Sequence, residues 1–109
     1  MTSRSSGSPY RVVFDSIPWQ SPVEGMRFKA RLHEGRRLRL VEYTPRMAAH
    51  WCEEGHTGYL LEGRLEVEFP AETVVLEPGD GVVIPSGLEH RHRARALTEV
   101  VRAVFVEDM

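Results

Sequence analysis

Turns that contain glycine or proline recur at short intervals, and this recurrence most constrains how the chain can fold. The clearest is EPGDG at residues 77–81, and similar turns lie at residues 34–36, 62–64 and 85–87. Between turns, apolar and polar residues alternate, as in residues 26–33, and a period of two is typical of a strand buried on one face. Because no segment has a sustained helical period, we predict an all-β chain of roughly nine or ten short strands, forming a sandwich or barrel.

The first part of the chain is less regular than the rest. A short apolar run predicts a strand at residues 10–14, and Pro18 and Pro22 predict a loop over residues 16–24. At the other end, strands are predicted at residues 89–94 and 99–106.

The length of 109 residues fits one domain with one hydrophobic core. We predict a flexible Ser/Gly-rich tail at residues 1–9 and one folded domain at residues 10–109. The net charge of −2 and the dispersed arginines give no reason to expect a nucleic-acid or membrane partner. No apolar run reaches the about 20 residues of a membrane helix, and the first residues lack the apolar core of a signal peptide, so we expect a cytoplasmic protein.

Residues with metal-binding side chains are concentrated in two places. His50, Cys52 and His56 lie within seven residues of one another, and His90 follows a later turn. Imidazole and thiolate are ligands that zinc and iron accept. If the first segment is extended, His50 and Cys52 point to the same face, and a bend at Gly55 can return His56 toward them. We therefore predict a metal site inside a small β-barrel, with the three histidines as its firmest ligands.

The same residues fit the first of two motifs of the cupin family, and the chain resembles a single-domain cupin. The spacing of this motif, G-x5-H-x-H-x3/4-E-x6-G, is kept by His50, Cys52, His56 and Gly63. Cysteine replaces the second histidine, histidine replaces the glutamate, and Thr44 stands where the leading glycine would be.

The second cupin motif, G-x5-P-x-G-x2-H-x3-N, is matched more fully. Its glycines, proline and histidine correspond to Gly79, Pro85, Gly87 and His90, while Ala94 stands in the asparagine position. Both motifs occur in order within an all-β pattern, which strengthens the resemblance.

The resemblance implies a double-stranded β-helix, which is a jelly-roll barrel, with one divalent metal ion at its mouth. By position in the motifs, the implied ligands are His50, Cys52, His56 and His90. The ion is zinc, iron, nickel or manganese, and the sequence does not distinguish among them. Because many small cupins pair through their N-terminal strands, the resemblance also implies a homodimer.

Several residues of this region have a second interpretation. Cys52 has no disulfide partner because it is the only cysteine, so it is a metal ligand, a free thiol or a small buried apolar residue. His92 shares a strand face with His90, and we assign it to the pocket rather than to the ligand set. Glu53 and Glu54 are either a general base near the metal or a solvated pair in a bend.

Three functions follow from these observations. The first is a metal-dependent enzyme that acts on a small molecule by dioxygenase, isomerase or lyase chemistry. The second is a non-catalytic module that binds or senses a small ligand, without a helix-turn-helix segment for DNA. The third is a cupin that has lost its metal. One fold hosts many chemistries, so neither the substrate nor a catalytic residue is assigned from the sequence.

Overall fold

The computed structural model describes residues 7–109, and in this part of the chain nine β-strands form two antiparallel sheets. The strands are β1 (Gln20–Val23), β2 (Met26–His33), β3 (Arg36–Tyr43), β4 (His56–Glu62), β5 (Leu65–Glu68), β6 (Thr73–Leu76), β7 (Gly81–Ile84), β8 (Arg93–Ala96) and β9 (Val101–Asp108). The six-stranded sheet has the order β1-β2-β3-β9-β4-β7, and the three-stranded sheet has the order β6-β5-β8. The predicted all-β jelly-roll fold is confirmed.

Helical structure in the described residues is limited to two 3-10 turns, Phe14–Ser16 and Leu88–His90. Among these residues, no helix is long and apolar enough to cross a membrane. Residues 1–6 of the predicted tail lie outside the described part of the chain.

The hairpin of β2 and β3 shows how local sequence sets the register. Its two turn residues, Glu34 and Gly35, both have positive φ values, of 50° and 77°. A two-residue turn of this kind matches the twist of the flanking strands. The strands pair without interruption from Met26 opposite Tyr43 to His33 opposite Arg36.

The hydrophobic core lies between the two sheets. Its fully buried side chains include Val41, Leu60 and Val101 from the larger sheet, and Leu65 and Val67 join them from β5. These residues occupy alternate positions along their strands, so the alternation seen in the sequence reflects burial on one face.

The first part of the chain differs from prediction. The strand predicted at residues 10–14 is wrong, because residues 11–13 have no regular structure and a 3-10 turn begins at Phe14. The loop predicted at residues 16–24 contains β1 instead, which pairs irregularly with β2. Since β1 is the edge strand of its sheet, a proline at position 22 is tolerated there, where not every N–H is needed for pairing.

Candidate metal centre

A cavity of about 180 Å³ lies within the barrel. Side chains from both sheets form its apolar wall, among them Leu65, Leu76, Ile84 and Phe105. Its polar and charged lining is Arg37, Arg39, Tyr43, His50, Cys52, Glu54, His56, His92 and Arg93. A cavity with an apolar wall and convergent polar groups is typical of a small-molecule site.

Three potential metal ligands meet in this cavity. Cys52 Sγ, one ring nitrogen of His56 and one ring nitrogen of His92 all lie within 4.8 Å of one another. His92 is buried, and the other two residues are half-buried. These atoms are close enough for small side-chain rotations to bring all three onto one ion.

Backbone pairing places Cys52 opposite His92. The two residues form an isolated antiparallel bridge, in which each N–H donates to the other's carbonyl oxygen, at 2.8 and 2.9 Å. Residues that exchange both hydrogen bonds lie directly across from each other. His56 reaches the same cavity as the first residue of β4.

The short connection between Cys52 and His56 depends on Gly55. A β-carbon at this position would come within 2.7 Å of the Ser86 nitrogen and closer still to the Ile84 carbonyl oxygen. The Gly55 N–H donates to Ser86 Oγ at 2.8 Å. Glycine thus lets the chain pass close against the segment after β7 and enter β4 in the correct position.

In each histidine of the cluster, the Nδ1 atom lies close to an oxygen atom of another residue. His56 Nδ1 is buried and lies 2.5 Å from Glu107 Oε2, and it forms no aligned hydrogen bond with any described residue. His92 Nδ1 lies 3.1 Å from the backbone oxygen of His90. Metal-binding histidines commonly have one ring nitrogen held by a carboxylate or a carbonyl. This arrangement leaves both Nε2 atoms to act as ligands.

The protonation state of His92 also fits ligation. Burial lowers the pKa of His92, the His90 carbonyl opposes this shift, and nearby His56 lowers the pKa further, so that the net shift is downward. A neutral imidazole is the form that binds metal. Together, one thiol and two imidazoles fit zinc or iron better than hard cations such as magnesium.

Behind His56 lies a buried ionic network centred on Glu107. Arg37 Nη2 lies 2.8 Å from Glu107 Oε1, and Arg39 Nη2 lies 2.6 Å from Oε2. Burial raises the pKa of Glu107, but the contacts with His56 and the two arginines outweigh burial and hold the pKa at about 2. Glu107 is therefore an anion at neutral pH, and it favours a proton on His56 Nδ1.

A tyrosine forms part of the same wall. Tyr43 is buried and lines the cavity, and burial is the main reason why its pKa rises to about 12. Its phenol therefore keeps its proton at neutral pH and is available to donate a hydrogen bond.

The structure brings together two of the four predicted ligands, Cys52 and His56. His50 lines the cavity but lies outside the cluster and is exposed. His90 ends the second 3-10 turn, and its side chain is 43% exposed, with Nε2 3.8 Å from Glu89. The ligand set of His50, Cys52, His56 and His90 stays a prediction.

The sequence analysis assigned His92 to the pocket but not to the ligand set, and it did not place Glu107 in the site. His92 was identifiable as the residue two after His90, with which it would share a face if residues 89–94 were a strand. Instead, a 3-10 turn ends at His90 and β8 begins only at Arg93. Glu107 occupies an inward-facing position of β9, two residues after Phe105. The sequence signal for its role was an acidic residue at a position where the alternation predicts an apolar one.

Comparison with known proteins gives a family and several similar folds. A family model described as a cupin domain matches residues 39–107. No relative among curated proteins matches the chain.

Three solved structures illustrate the similarity. KdgF from Halomonas sp. has a TM-score of 0.72 and 26% identity, over 86% of this chain and 89% of that one. A cupin-2 domain containing protein from Shewanella frigidimarina has a TM-score of 0.60 and 22% identity, over 74% and 80%. Apo-HppE has a TM-score of 0.68 and 15% identity, over 86% of this chain and 55% of that one. The last two similarities show the fold alone.

Proposed function

The chain belongs to the cupin family, and from this premise we propose that it binds one divalent metal ion and acts as a small-molecule enzyme of the dioxygenase, isomerase or lyase type. The observation that carries the proposal is the cluster of Cys52, His56 and His92 beside an apolar cavity. Of zinc, iron, nickel and manganese, this donor set favours zinc or iron.

Each part of the cavity has a role in such a function. A bound divalent ion supplies Lewis acidity, which polarises a carbonyl group or acidifies water. Glu107 and the His90 carbonyl lie next to Nδ1 of the two imidazole rings and favour one orientation of each ring. The apolar wall excludes water from the bound molecule, and Tyr43 offers a neutral hydrogen-bond donor.

The ligand set is proposed in two forms that an experiment can separate. In the first, Cys52, His56 and His92 bind the ion, and His50 completes the set from the same cavity. In the second, the cupin motif positions apply, and His90 replaces His92. A homodimer and a cytoplasmic location remain further proposals from the family resemblance.

Zinc affinity of two alanine variants distinguishes these forms. We expect His92→Ala to weaken zinc binding by at least about 100-fold, a larger loss than that of an outer contact. His90→Ala is the matched control, since it keeps the backbone carbonyl that contacts the His92 ring, and its affinity should change by less than about threefold. Competition with a fluorescent zinc chelator measures both values. The reverse order would support the motif-based set.

Metal content tests the proposal as a whole. Protein purified without a nickel column should contain about one equivalent of metal by elemental analysis, and chelation should lower its thermal stability. Substoichiometric metal and no loss of stability on chelation would overturn the metal proposal. Binding of small molecules by metal-loaded protein without any turnover would favour a non-catalytic, sensing role.

A further inference from the structure

We propose that the cavity accepts a small organic carboxylate, whose charged group lies against Arg37 and Arg39 and whose remaining atoms pack on the apolar wall. The inference rests on the proposed binding of a small molecule in this cavity, but it does not depend on the metal.

One strand supplies the charged wall. Arg37, Arg39 and Tyr43 occupy alternating positions on the inner face of β3, and all three line the cavity. Arg37 is directly opposite Glu107 on β9. Both guanidinium groups also lie over the Phe28 ring, at 5.5 and 5.3 Å from its centre, and this contact limits their motion.

The charges of this wall do not cancel. Two guanidinium groups share the single carboxylate of Glu107. The side chain of Arg37 is 18% exposed, that of Arg39 is 8% exposed and that of Glu107 is 4% exposed. Arg39 Nε is buried and has no hydrogen-bond partner among the described residues. Because two positive charges face one negative charge, the wall keeps one net positive charge. A buried net charge is costly, so this wall favours one additional anion.

Among the described residues that line the cavity, no other group supplies this anion. Arg93 also lines the cavity, but it is paired with Glu68 at 2.8 Å, so this pair is neutral. Glu54 is exposed to solvent, where its charge is screened. A divalent ion with one thiolate ligand would add one further positive charge and strengthen the preference for an anionic ligand.

The shape and chemistry of the cavity indicate the class of anion. A guanidinium group binds a carboxylate through a planar pair of hydrogen bonds, and Tyr43 adds a neutral donor. Leu65, Leu76 and Phe105 form an apolar surface for a hydrocarbon part. The volume of about 180 Å³ is below the about 300–1,000 Å³ of pockets for drug-sized ligands. A small carboxylic acid with an apolar body meets these conditions.

Benzoate and benzamide test the inference because they have nearly the same shape and differ in charge. After metal removal by chelation and dialysis, each compound is titrated into the full chain at pH 7 and followed by NMR. We expect benzoate to bind at least about tenfold more tightly, as for a charged rather than neutral hydrogen-bonding partner, with shifts at Tyr43 and Phe105. Equal affinity, or tighter binding of benzamide, would overturn the inference.

Arginine variants identify the group responsible. Arg37→Gln should reduce the preference for benzoate to less than about threefold, while Arg93→Gln, which removes the same charge from the same cavity, should keep it. If Arg37→Gln does not fold, Arg37→Lys keeps the charge but removes the planar fork, and should weaken benzoate binding severalfold. A preference that is unchanged in the folded Arg37 variant, or lost equally in Arg93→Gln, would contradict the assignment.

The two proposals fail in different ways. If zinc does not bind but metal-free protein prefers benzoate, the metal proposal fails and the carboxylate inference stands. If zinc binds and benzoate has no advantage, only the carboxylate inference fails.

Discussion

At the scale of single residues, Glu107 connects the two chemical parts of the cavity. Its carboxylate contacts His56 on one side, and Arg37 and Arg39 on the other. It is almost fully buried, and its low pKa keeps it charged. One side chain therefore orients a proposed metal ligand and holds the charged wall in place.

Replacing this carboxylate should weaken metal binding without removing a ligand. We expect Glu107→Gln to lower zinc affinity by about 10–100-fold, because His56 loses the acceptor that favours a proton on Nδ1. Zinc competition measures the affinity, and the ¹⁵N shifts of the His56 ring in metal-free protein report the change in proton position.

The neighbouring acidic residue provides the control for this prediction. Asp108→Asn removes a charge from the same strand, but the Asp108 side chain is 91% exposed and lies 3.7 Å from Arg36. The zinc affinity and the His56 ring ¹⁵N shifts of the Asp108→Asn variant should match those of the unchanged protein. An unaltered affinity and unaltered ring shifts in Glu107→Gln would show that Glu107 does not position His56.

The residues that bear on the site were only partly predictable from the sequence. Cys52 and His56 were in the predicted ligand set and do meet, because a bend at Gly55 returns the chain to the same cavity. His92 joins them through a backbone bridge with Cys52. Motif spacing points to His90 instead, since it carries no information on the 3-10 turn that ends there.

At the scale of secondary structure elements, the site depends on how closely the segment before β4 approaches the end of β7. Gly87 N donates to the Glu53 carbonyl at 2.9 Å, and Gly55 N donates to Ser86 Oγ. These contacts fix the path between two proposed ligands, so the geometry of the cluster is determined by backbone packing as well as by side chains.

A methyl group at Gly55 should disturb this packing. Gly55→Ala would place Cβ within 3 Å of backbone atoms of Ile84 and Ser86, and we expect the free energy of unfolding to fall by about 1–3 kcal/mol, as in overpacked cores. Gly81→Ala is the matched control, because the nearest atom to its Cβ is 3.6 Å away. Chemical denaturation measures both variants, and a Gly55 variant as stable as the Gly81 variant would contradict this account.

Strand positions were easier to predict than the first elements of the chain. Alternation located β2 and β5, the turn at residues 34–36 separated β2 from β3, and the turn at residues 77–81 separated β6 from β7. Every residue of the edge strand β1 is exposed, so its sequence does not alternate between apolar and polar residues. Prolines then favoured a loop, although an edge strand accommodates them.

At the scale of the whole molecule, the fold was predictable because many weak signals agree. Turns, alternation and two ordered motifs all indicate one barrel, and the cupin match spans residues 39–107. The chemistry within the barrel was less accessible to sequence reasoning, since Arg37, Arg39 and Glu107 come from strands far apart in the chain. Their shared burial is a property of the assembled sheets.

The acid stability of the whole molecule should depend on a second ionic cluster, on the other face of β3. Glu42 accepts hydrogen bonds from Arg27 on β2, at 2.8 Å, and from Arg102 on β9, at 2.9 Å. Burial alone would raise the pKa of Glu42, but these two arginines outweigh it and the pKa is lowered. The carboxylate therefore stabilises three adjacent strands while it is ionised.

The sign of this contribution predicts a pH dependence. The pKa of Glu42 is lower in the folded protein than the about 4.3 of an unfolded chain. The stabilisation by the Glu42 carboxylate is therefore complete above the unfolded pKa, and it is lost as the pH falls through the folded pKa. Glu42→Gln should thus reduce the free energy of unfolding by about 2 kcal/mol at pH 7, and the difference from the unchanged protein should shrink below about pH 4. Urea denaturation across this pH range measures the difference.

Glu66→Gln is the control, because it removes a more exposed pair with Arg95. Its free energy of unfolding should fall by less than about 1 kcal/mol. An equal loss in both variants would show that the Glu42 cluster has no special role in acid stability.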